Sequence, residues 1–297
     1  MTYSIVARDP RTGDLGVAVQ SHYFSVGSVV TWARAGVGAI ATQSMAEISY
    51  GPMGLDLMAS GKTAPEALKS LLETDPRSEM RQVGMVDSKG NIGVHTGSRC
   101  IDFAGHVTGS QFSCQANLMS NDSIWGAMEM EFVRKDELEL PERLVATLEA
   151  AETAGGDVRG KQSAALLVVS SKIYPNTWMG KVVELRVEDD PEPLQELKRN
   201  LRLKRAYDWV EKGDDLLGLG RIEESLGAFK KAQELAPDYE EIRFWVGVTL
   251  SGSQTTQREG IEIVKEILSR SPNWKTVTKS LVVKGYLPKD NPIGDLL

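Results

Sequence analysis

The sequence changes character near residue 190, and this change limits the possible folds more than any other feature. Before it, short β-rich runs alternate with glycine-rich turns, whereas after it apolar residues recur at helical spacing. The acidic, proline-containing stretch Asp189–Pro193 separates the two patterns. At 297 residues the chain is long enough for two domains of about 100–200 residues each. We therefore predict one domain over residues 1–190 and a helical domain over residues 191–297.

The first domain is predicted to alternate groups of strands with pairs of helices. The predicted strands are Tyr3–Ala7, Leu15–Val19, Val37–Thr42, Gln82–Val86, Asn91–His95, Phe112–Gln115, Ser163–Val169 and Lys181–Val187. The predicted helices are Gly54–Ser60, Thr63–Glu73, Ser123–Val133 and Glu142–Ala154. A capping box, with Thr63 and Glu66 three residues apart, marks the start of the second helix. This order is typical of an α+β fold in which helices pack outside sheets.

The second domain resembles a tetratricopeptide repeat. The residues with the repeat's spacing are Trp209, Gly213, Leu216, Gly220, Phe229, Ala232 and Pro237. Gly247 follows Gly213 by 34 residues, which is the period of the repeat, but the pattern becomes irregular around Gly252. We expect one and a half to two repeats and a capping helix, the alternative being a generic helical hairpin.

Composition excludes several classes of partner. A net charge of −7 and a pI near 5.2 argue against a surface for nucleic acid or anionic membranes, which needs clustered Lys and Arg. The longest apolar runs, such as Ala164–Val169, are far shorter than the roughly 20 residues that span a bilayer. The N-terminal residues lack a charged-then-apolar signal, and Cys100 and Cys114 do not form a disulfide framework. We expect a cytoplasmic protein.

The register of the first predicted hairpin points to a candidate nucleophile. If the turn is centred between Arg11 and Thr12, Thr2 lies opposite Ser21. Facing residues share a face of the sheet, and alternation places Ser4 on that face as well. A hydroxyl therefore lies at the start of a strand, beside the polar run Gln20-Ser21-His22.

Thr2 has a chemical role only if its amine is free. Thr is small enough for removal of Met1, which would leave an α-amino group with a pKa near 8. Such an amine can accept the hydroxyl proton as the oxygen attacks an amide carbonyl. The alternative interpretation is that Thr2 is an ordinary polar residue at a strand end.

Several separated segments together resemble one family, known as domain of unknown function 1028 and classed with the N-terminal-nucleophile (Ntn) hydrolases. These segments are Met1–Asp9, Leu15–Val19, Gly36–Gln43, Ser49–Pro52, Arg81–Gly84, His95–Gly97, Gly105–His106 and Gly156–Ala165. The resemblance covers about residues 1–190. It implies a four-layer αββα sandwich that is Ntn-hydrolase-like, and an enzyme acting on non-peptide C–N (amide) bonds, with Thr2 as nucleophile.

The chain departs from the proteasome-type members of that class. Those relatives carry an acidic residue at the end of the second strand and a lysine further on. Here the strand ends Val19-Gln20-Ser21, and the first lysine is Lys62. Small amides, N-acyl compounds or cyclic imide-like substrates therefore fit better than proteins.

The predicted site combines both lines of reasoning. The candidate catalytic residues are Thr2, Ser21 and His22, and the candidate substrate-binding residues are Gln20, Gln43, Tyr50, Asp157, Arg159 and Gln162. An Asp157–Arg159 pair can bind a carboxylate or orient a polar substrate, but a structural loop clamp is equally compatible with the sequence.

Neither a cofactor nor a metal is expected. The three histidines, His22, His95 and His106, lack ligand spacing, so we interpret His95 and His106 as hydrogen-bonded strand or loop residues. Cys114 has no basic neighbour in sequence and is interpreted as a packing residue.

A second functional hypothesis remains open. The chain could be a non-catalytic protein in which the sandwich binds a small ligand and the helical domain serves assembly. The repeats could then bind a protein partner or associate with themselves, and we expect a homodimer.

Overall fold

The computed structural model describes residues 2–287 and 291–296, so the predicted removal of Met1 concerns a residue outside the described ones. In chain order the elements are β1 (Thr2–Arg8), β2 (Leu15–Ser21), α1 (Gly27–Val30), β3 (Thr31–Arg34), β4 (Gly38–Ser44), α2 (Tyr50–Ala59), α3 (Ala64–Thr74), β5 (Arg81–Asp87), β6 (Ile92–Thr96), β7 (Gly105–Gly109), β8 (Phe112–Asn117), α4 (Ile124–Arg134), α5 (Leu140–Thr153), β9 (Ser163–Val169), β10 (Lys181–Val187), α6 (Pro193–Gly218), α7 (Ile222–Leu235), α8 (Glu240–Ser251), α9 (Gln257–Arg270) and α10 (Asn273–Val283). Short 3-10 turns occupy Ser78–Met80 and Pro292–Leu296.

The strands form two antiparallel sheets. The larger has six strands in the order β10-β9-β2-β1-β8-β7, and the smaller has four in the order β3-β4-β5-β6. Helices α2 and α3 pack on the smaller sheet, and α4 and α5 pack on the larger. The two sheets pack against each other through β1, β2, β4, β5 and β8. The fold is therefore α+β, and the predicted four-layer αββα sandwich is confirmed.

Three apolar layers hold the sandwich together. Ile5 and Leu144 belong to the layer between the larger sheet and its helices, Val17 to the layer between the sheets, and Ile40 and Leu68 to the layer between the smaller sheet and its helices. Successive strand residues point to opposite faces, so each central strand supplies two of these layers.

The predicted register of the first hairpin is confirmed. Thr2 pairs with Ser21, Ser4 with Val19 and Val6 with Val17. The connecting turn is fixed by Asp9, whose carboxylate accepts hydrogen bonds from the backbone and guanidinium of Arg11. Strand β1 lies between β2 and β8, so its first residue is in the middle of the larger sheet.

The chain divides into two compact units, Met1–Leu201 and Arg202–Leu297. The division falls within α6 rather than at the stretch Asp189–Pro193, where the sequence placed the domain boundary. The N-terminal part of α6 contributes Leu194 and Leu197 to the layer between the larger sheet and its helices.

The second unit consists of helices, as predicted. Phe229 on α7 packs in a cluster with Trp209 and Ala232, and it lies so close to Gly213 that a Cβ there would come within 2.3 Å of its ring. Ser225 donates a hydrogen bond to the Gly213 carbonyl at 2.7 Å. Across residues 2–287 and 291–296, no helix combines the length and apolar character needed to span a bilayer.

Candidate functional site

Thr2 begins β1 and is held by its neighbours on both sides. Its side chain points between the two sheets, and the residue is only 4% exposed. Its hydroxyl donates a hydrogen bond to the Ser21 hydroxyl at 3.1 Å. Its carbonyl accepts hydrogen bonds from the amides of Gln43, at 3.3 Å, and Asn117, at 3.5 Å. The hydroxyl and the carbonyl of Thr2 are therefore both held by residues of neighbouring strands.

A buried network of amide side chains lies behind Thr2, between the two sheets. Ser4 donates to Gln43 Oε1 at 2.6 Å and accepts from Gln115 Nε2 at 2.7 Å. Gln82 Oε1 accepts from Gln43 Nε2 at 2.7 Å and from Asn117 Nδ2 at 2.8 Å. Each of these five side chains is buried. Among the described residues, Asn117 Oδ1 is the one atom of these five side chains that is buried without a hydrogen-bond partner. The bonds that are made favour one geometry of the strands that hold Thr2.

Gly84 on β5 makes room for this network. A Cβ at this position would lie 2.4 Å from Gln115 Oε1 and 2.7 Å from its Cδ. Gln82 continues the network by donating to the Thr96 hydroxyl at 2.9 Å, and that hydroxyl lies 2.8 Å from His106 Nδ1. His95 bonds the Ser78 carbonyl at 2.8 Å. The interpretation of these two histidines as hydrogen-bonded strand residues is confirmed.

Thr2 lines a cavity of about 420 Å³, here called the Thr2 cavity. Its other lining residues are Tyr23, Val26, Val29, Val30, Gln43, Ser44, Met45, Ala46, Ile48, Arg77, Arg81 and Arg159. The nucleophile candidate therefore borders a space that could hold a small molecule, and the same lining includes Gln43 and three arginines.

Arg81 is buried and its charge is balanced by carboxylates. Its Nε lies 2.6 Å from Asp75 Oδ2, and its guanidinium also lies 3.5 Å from Glu47. The hydrogen bond from Arg81 lowers the pKa of Asp75 to about 2. Asp75 accepts a further bond from the backbone N–H of Arg77 at 2.8 Å. One carboxylate thus positions both arginines.

Asp157 and Arg159 form the pair that the sequence suggested. Asp157 is buried, and its carboxylate lies 2.8 Å from the Arg159 guanidinium and 2.9 Å from the Arg159 backbone nitrogen. It also accepts a 3.3 Å bond from the backbone N–H of His22. Asp157 therefore clamps the loop, while Arg159 lines the Thr2 cavity. The loop clamp is therefore observed for Asp157, and substrate binding by Arg159 stays a prediction.

Three predicted substrate-binding residues lie elsewhere. Gln20 pairs with Tyr3 and Ala164, so it points to the opposite face of β2 from Ser21, towards the helices. Tyr50 is buried in a neighbouring cavity, where its hydroxyl donates to Asp75 at 3.1 Å. Gln162 is bonded to Asp189 at 3.1 Å. Of the six predicted substrate-binding residues, Gln43 and Arg159 are in the described lining of the Thr2 cavity, and Gln20, Tyr50, Asp157 and Gln162 are not.

Sequence reasoning missed Arg77, Arg81, Gln82 and Asn117. Arg81 and Gln82 open one of the segments that carried the family resemblance, and a glutamine within an otherwise apolar strand was an available signal. Arg77 follows α3 in what reads as an ordinary loop, so nothing local distinguishes it.

Cys114 and the possible metal ligands form no second candidate site within the described residues. Cys114 is fully buried in β8, and burial raises the pKa of its thiol well above the usual value, which fits a packing residue. Within the part of the chain that the structure describes, no three His, Cys, Asp or Glu side chains group as metal ligands do.

Much of the chain is similar to known proteins. The family of unknown function DUF1028 matches residues 2–197. The crystal structure of protein SPO2555 from Silicibacter pomeroyi, assigned to the same family, is 32% identical with a TM-score of 0.61, covering 68% of this chain and 84% of that one. Anbu, an ancestral β-subunit from Yersinia bercovieri, is 10% identical with a TM-score of 0.33, covering 67% and 93%. None of the curated proteins matches. The chain belongs to the DUF1028 family.

Proposed function

We propose that this chain is an N-terminal-nucleophile amidohydrolase that cleaves small amides, with Thr2 as the nucleophile. The observation that carries the proposal is the position of the Thr2 hydroxyl. It lies at the start of a central strand, beside a cavity large enough for a small molecule, with its carbonyl fixed by Gln43 and Asn117. The proposal requires that nothing precedes Thr2 in the working protein, so that its α-amine is free.

Acylation begins with the free α-amine as base. The amine accepts the hydroxyl proton while Thr2 Oγ1 forms a bond to the substrate carbonyl carbon. The tetrahedral intermediate then collapses as the C–N bond breaks, and the leaving nitrogen takes the proton from the α-ammonium group. The first product is an amine, and the acyl group remains as an ester on Thr2.

Deacylation repeats the sequence with water. The α-amine accepts a proton from water, whose oxygen attacks the ester carbon, and the proton returns to Thr2 Oγ1 as the ester bond breaks. The second product is a carboxylic acid. Overall, one amide and one water yield one acid and one amine.

The neighbouring residues support this chemistry by fixing geometry. The Ser21 hydroxyl lies 3.1 Å from Thr2 Oγ1 and so orients it. In the proposed step Ser21 donates to Oγ1, which leaves the Thr2 hydroxyl proton free to pass to the α-amine. Gln43 and Asn117 hold the Thr2 carbonyl, which restricts the backbone that carries the amine. Positioning of reacting groups can supply several kcal/mol of barrier reduction.

The test is hydrolysis of a panel of small amides by the full chain and its variants. Thr2→Ser keeps a hydroxyl and an amine, so we expect it to retain measurable turnover, whereas Thr2→Ala and chemical blocking of the α-amine should abolish it. Thr108→Ala, on an exposed position of β7, is the matched control and should leave turnover unchanged. Turnover by Thr2→Ala equal to that of the unaltered chain would contradict the proposal.

A further inference from the structure

The lining of the Thr2 cavity has an unusual charge composition. The whole chain has a net charge of −7, yet the lining contains three arginines, and Asp or Glu is absent from its described residues. The carboxylates that balance two of these arginines belong to residues outside that lining, namely Asp75, Glu47 and Asp157. The described lining therefore carries positive charge and no carboxylate of its own.

Arg77 differs from the other two arginines of the cavity. Arg81 and Arg159 are paired with carboxylates at 2.6 Å and 2.8 Å. The Arg77 side chain is exposed and has no hydrogen-bond or ion-pair partner among residues 2–287 and 291–296. Its backbone is fixed, because its N–H donates to Asp75 and its carbonyl accepts from Met80 at 2.9 Å. A fixed backbone with an unpaired guanidinium is suited to binding an anion.

The same lining also contains apolar residues. Val26, Val29 and Val30 contribute apolar surface on and next to α1, and Met45 and Ile48 add two exposed apolar side chains after β4. The cavity thus offers an apolar wall together with a cationic group. Pockets of this kind bind the apolar part of a ligand by burial and orient it through a few polar groups.

We infer that the substrate is a small amide carrying a carboxylate and an apolar group, as an N-acyl amino acid does, and that Arg77 binds the carboxylate. This inference rests on the proposed function for the cleavage step, although the anion site can be tested without it. The carboxylate bound by Arg77 belongs to the intact substrate and is distinct from the carboxylate that hydrolysis forms. It is therefore present before the amide bond breaks and can orient the substrate towards Thr2.

Binding to the Thr2→Ala full chain separates recognition from turnover. The probes are N-acetyl-L-phenylalanine and N-acetyl-L-phenylalaninamide, which have nearly the same shape and differ by a carboxylate. Hydrogen bonds to charged groups contribute about 1.5–3 kcal/mol, so the carboxylate probe should bind at least tenfold more tightly in calorimetry at low ionic strength. The preference should decrease as salt is added, because Arg77 is exposed.

Three arginine variants in the same background identify the group responsible. Arg77→Gln should remove the preference for the carboxylate probe, and Arg77→Lys should retain part of it because the charge remains. Arg99→Gln is the matched control, since Arg99 is exposed, pairs with Glu79 and lies outside the cavity lining. Equal binding of both probes, binding of neither probe, or an equal loss in Arg77→Gln and Arg99→Gln would overturn the inference.

The two proposals fail in different ways. If the carboxylate preference is present and depends on Arg77 but the unaltered chain cleaves no amide, the hydrolase proposal fails and the anion site stands. If neutral amides are cleaved in a Thr2-dependent manner and the carboxylate gives no advantage in binding, the substrate class is wrong and the hydrolase proposal stands.

Discussion

At the scale of single residues, the position of Thr2 was predictable because it depends on a short-range register. The turn after Asp9 fixes which residue of β2 faces Thr2, and alternation then determines the face. The same alternation places Gln20 on the opposite face from Ser21, so the sequence already contained the reason that Gln20 cannot line the cavity. Arg77 was not predictable, because its place in the lining of the Thr2 cavity depends on the packing of two different sheets.

Asp75 provides a residue-scale prediction about pH. Its pKa is about 2 in the folded protein because of the hydrogen bond from Arg81, whereas an unfolded Asp has a pKa of about 3.9. A lowered pKa stabilises the folded state fully above pH ~4, and this contribution is lost as pH falls towards 2. The free-energy difference between the unaltered chain and Asp75→Asn should therefore shrink between about pH 5 and 2.

Urea unfolding at a series of pH values measures this difference. Asp56→Asn is the control, because the Asp56 carboxylate is exposed and pairs with Arg34 at the surface, where ion pairs contribute little. A stability difference for Asp75→Asn that stays constant or grows on acidification would contradict the assignment.

At the scale of elements, the strands and helices with a clear hydrophobic or capping pattern in the sequence were predicted. The short elements that lack such a pattern were missed. Strands β9 and β10 have the predicted bounds, and the capping box at Thr63 begins α3. Helix α1, with four residues, and strand β3 were missed because one follows the other without a turn signal. Strand β7, Gly105–Gly109, was missed because glycines at both ends weaken any strand pattern.

Gly84 on β5 gives a prediction for the sheet interface. An added methyl group would lie 2.4–2.8 Å from the Gln115 amide, which is held by hydrogen bonds on both sides. Gly84→Ala should therefore destabilise the protein by about 1–3 kcal/mol and reduce turnover, because the amide network behind Thr2 must shift. Thermal unfolding of the Gly84→Ala variant measures the loss of stability, and hydrolysis of the amide panel by the same variant measures the loss of turnover.

Gly126→Ala on α4 is the matched control for that substitution. A Cβ at Gly126 would meet open space, and alanine favours a helix interior over glycine by about 1 kcal/mol. Stability should rise slightly or stay unchanged, and turnover should be unaffected. Identical losses in the two variants would show that Gly84 has no special role.

Phe229 gives the corresponding prediction for the helical unit. It is 2% exposed and packs on Gly213 between α6 and α7. Phe229→Ala should lower the stability of this unit by about 3–5 kcal/mol, because it removes a large side chain from a closed cluster. Leu219→Ala, at a position 71% exposed, should cost little in the same thermal unfolding experiment. Equal effects of the two substitutions would contradict the packing account.

At the scale of the whole molecule, the change of pattern near residue 190 correctly predicted an α+β part followed by helices. The exact division could not be predicted, because α6 is a continuous helix whose first turns belong to the apolar layer of the sandwich. Periodicity reports that a segment is helical, but not which unit its apolar face packs against. The described lining of the Thr2 cavity belongs entirely to the first unit.

The central claim is that Thr2 acts through its own α-amine, and the mass of the N-terminal peptide tests it most directly. Intact-mass measurement and fragmentation of the protein that hydrolyses amides should show Thr2 as the first residue, with an unmodified amine. Retention of Met1 or any other residue before Thr2 in the active protein would contradict the claim, because the amine that accepts the hydroxyl proton would then be part of a peptide bond.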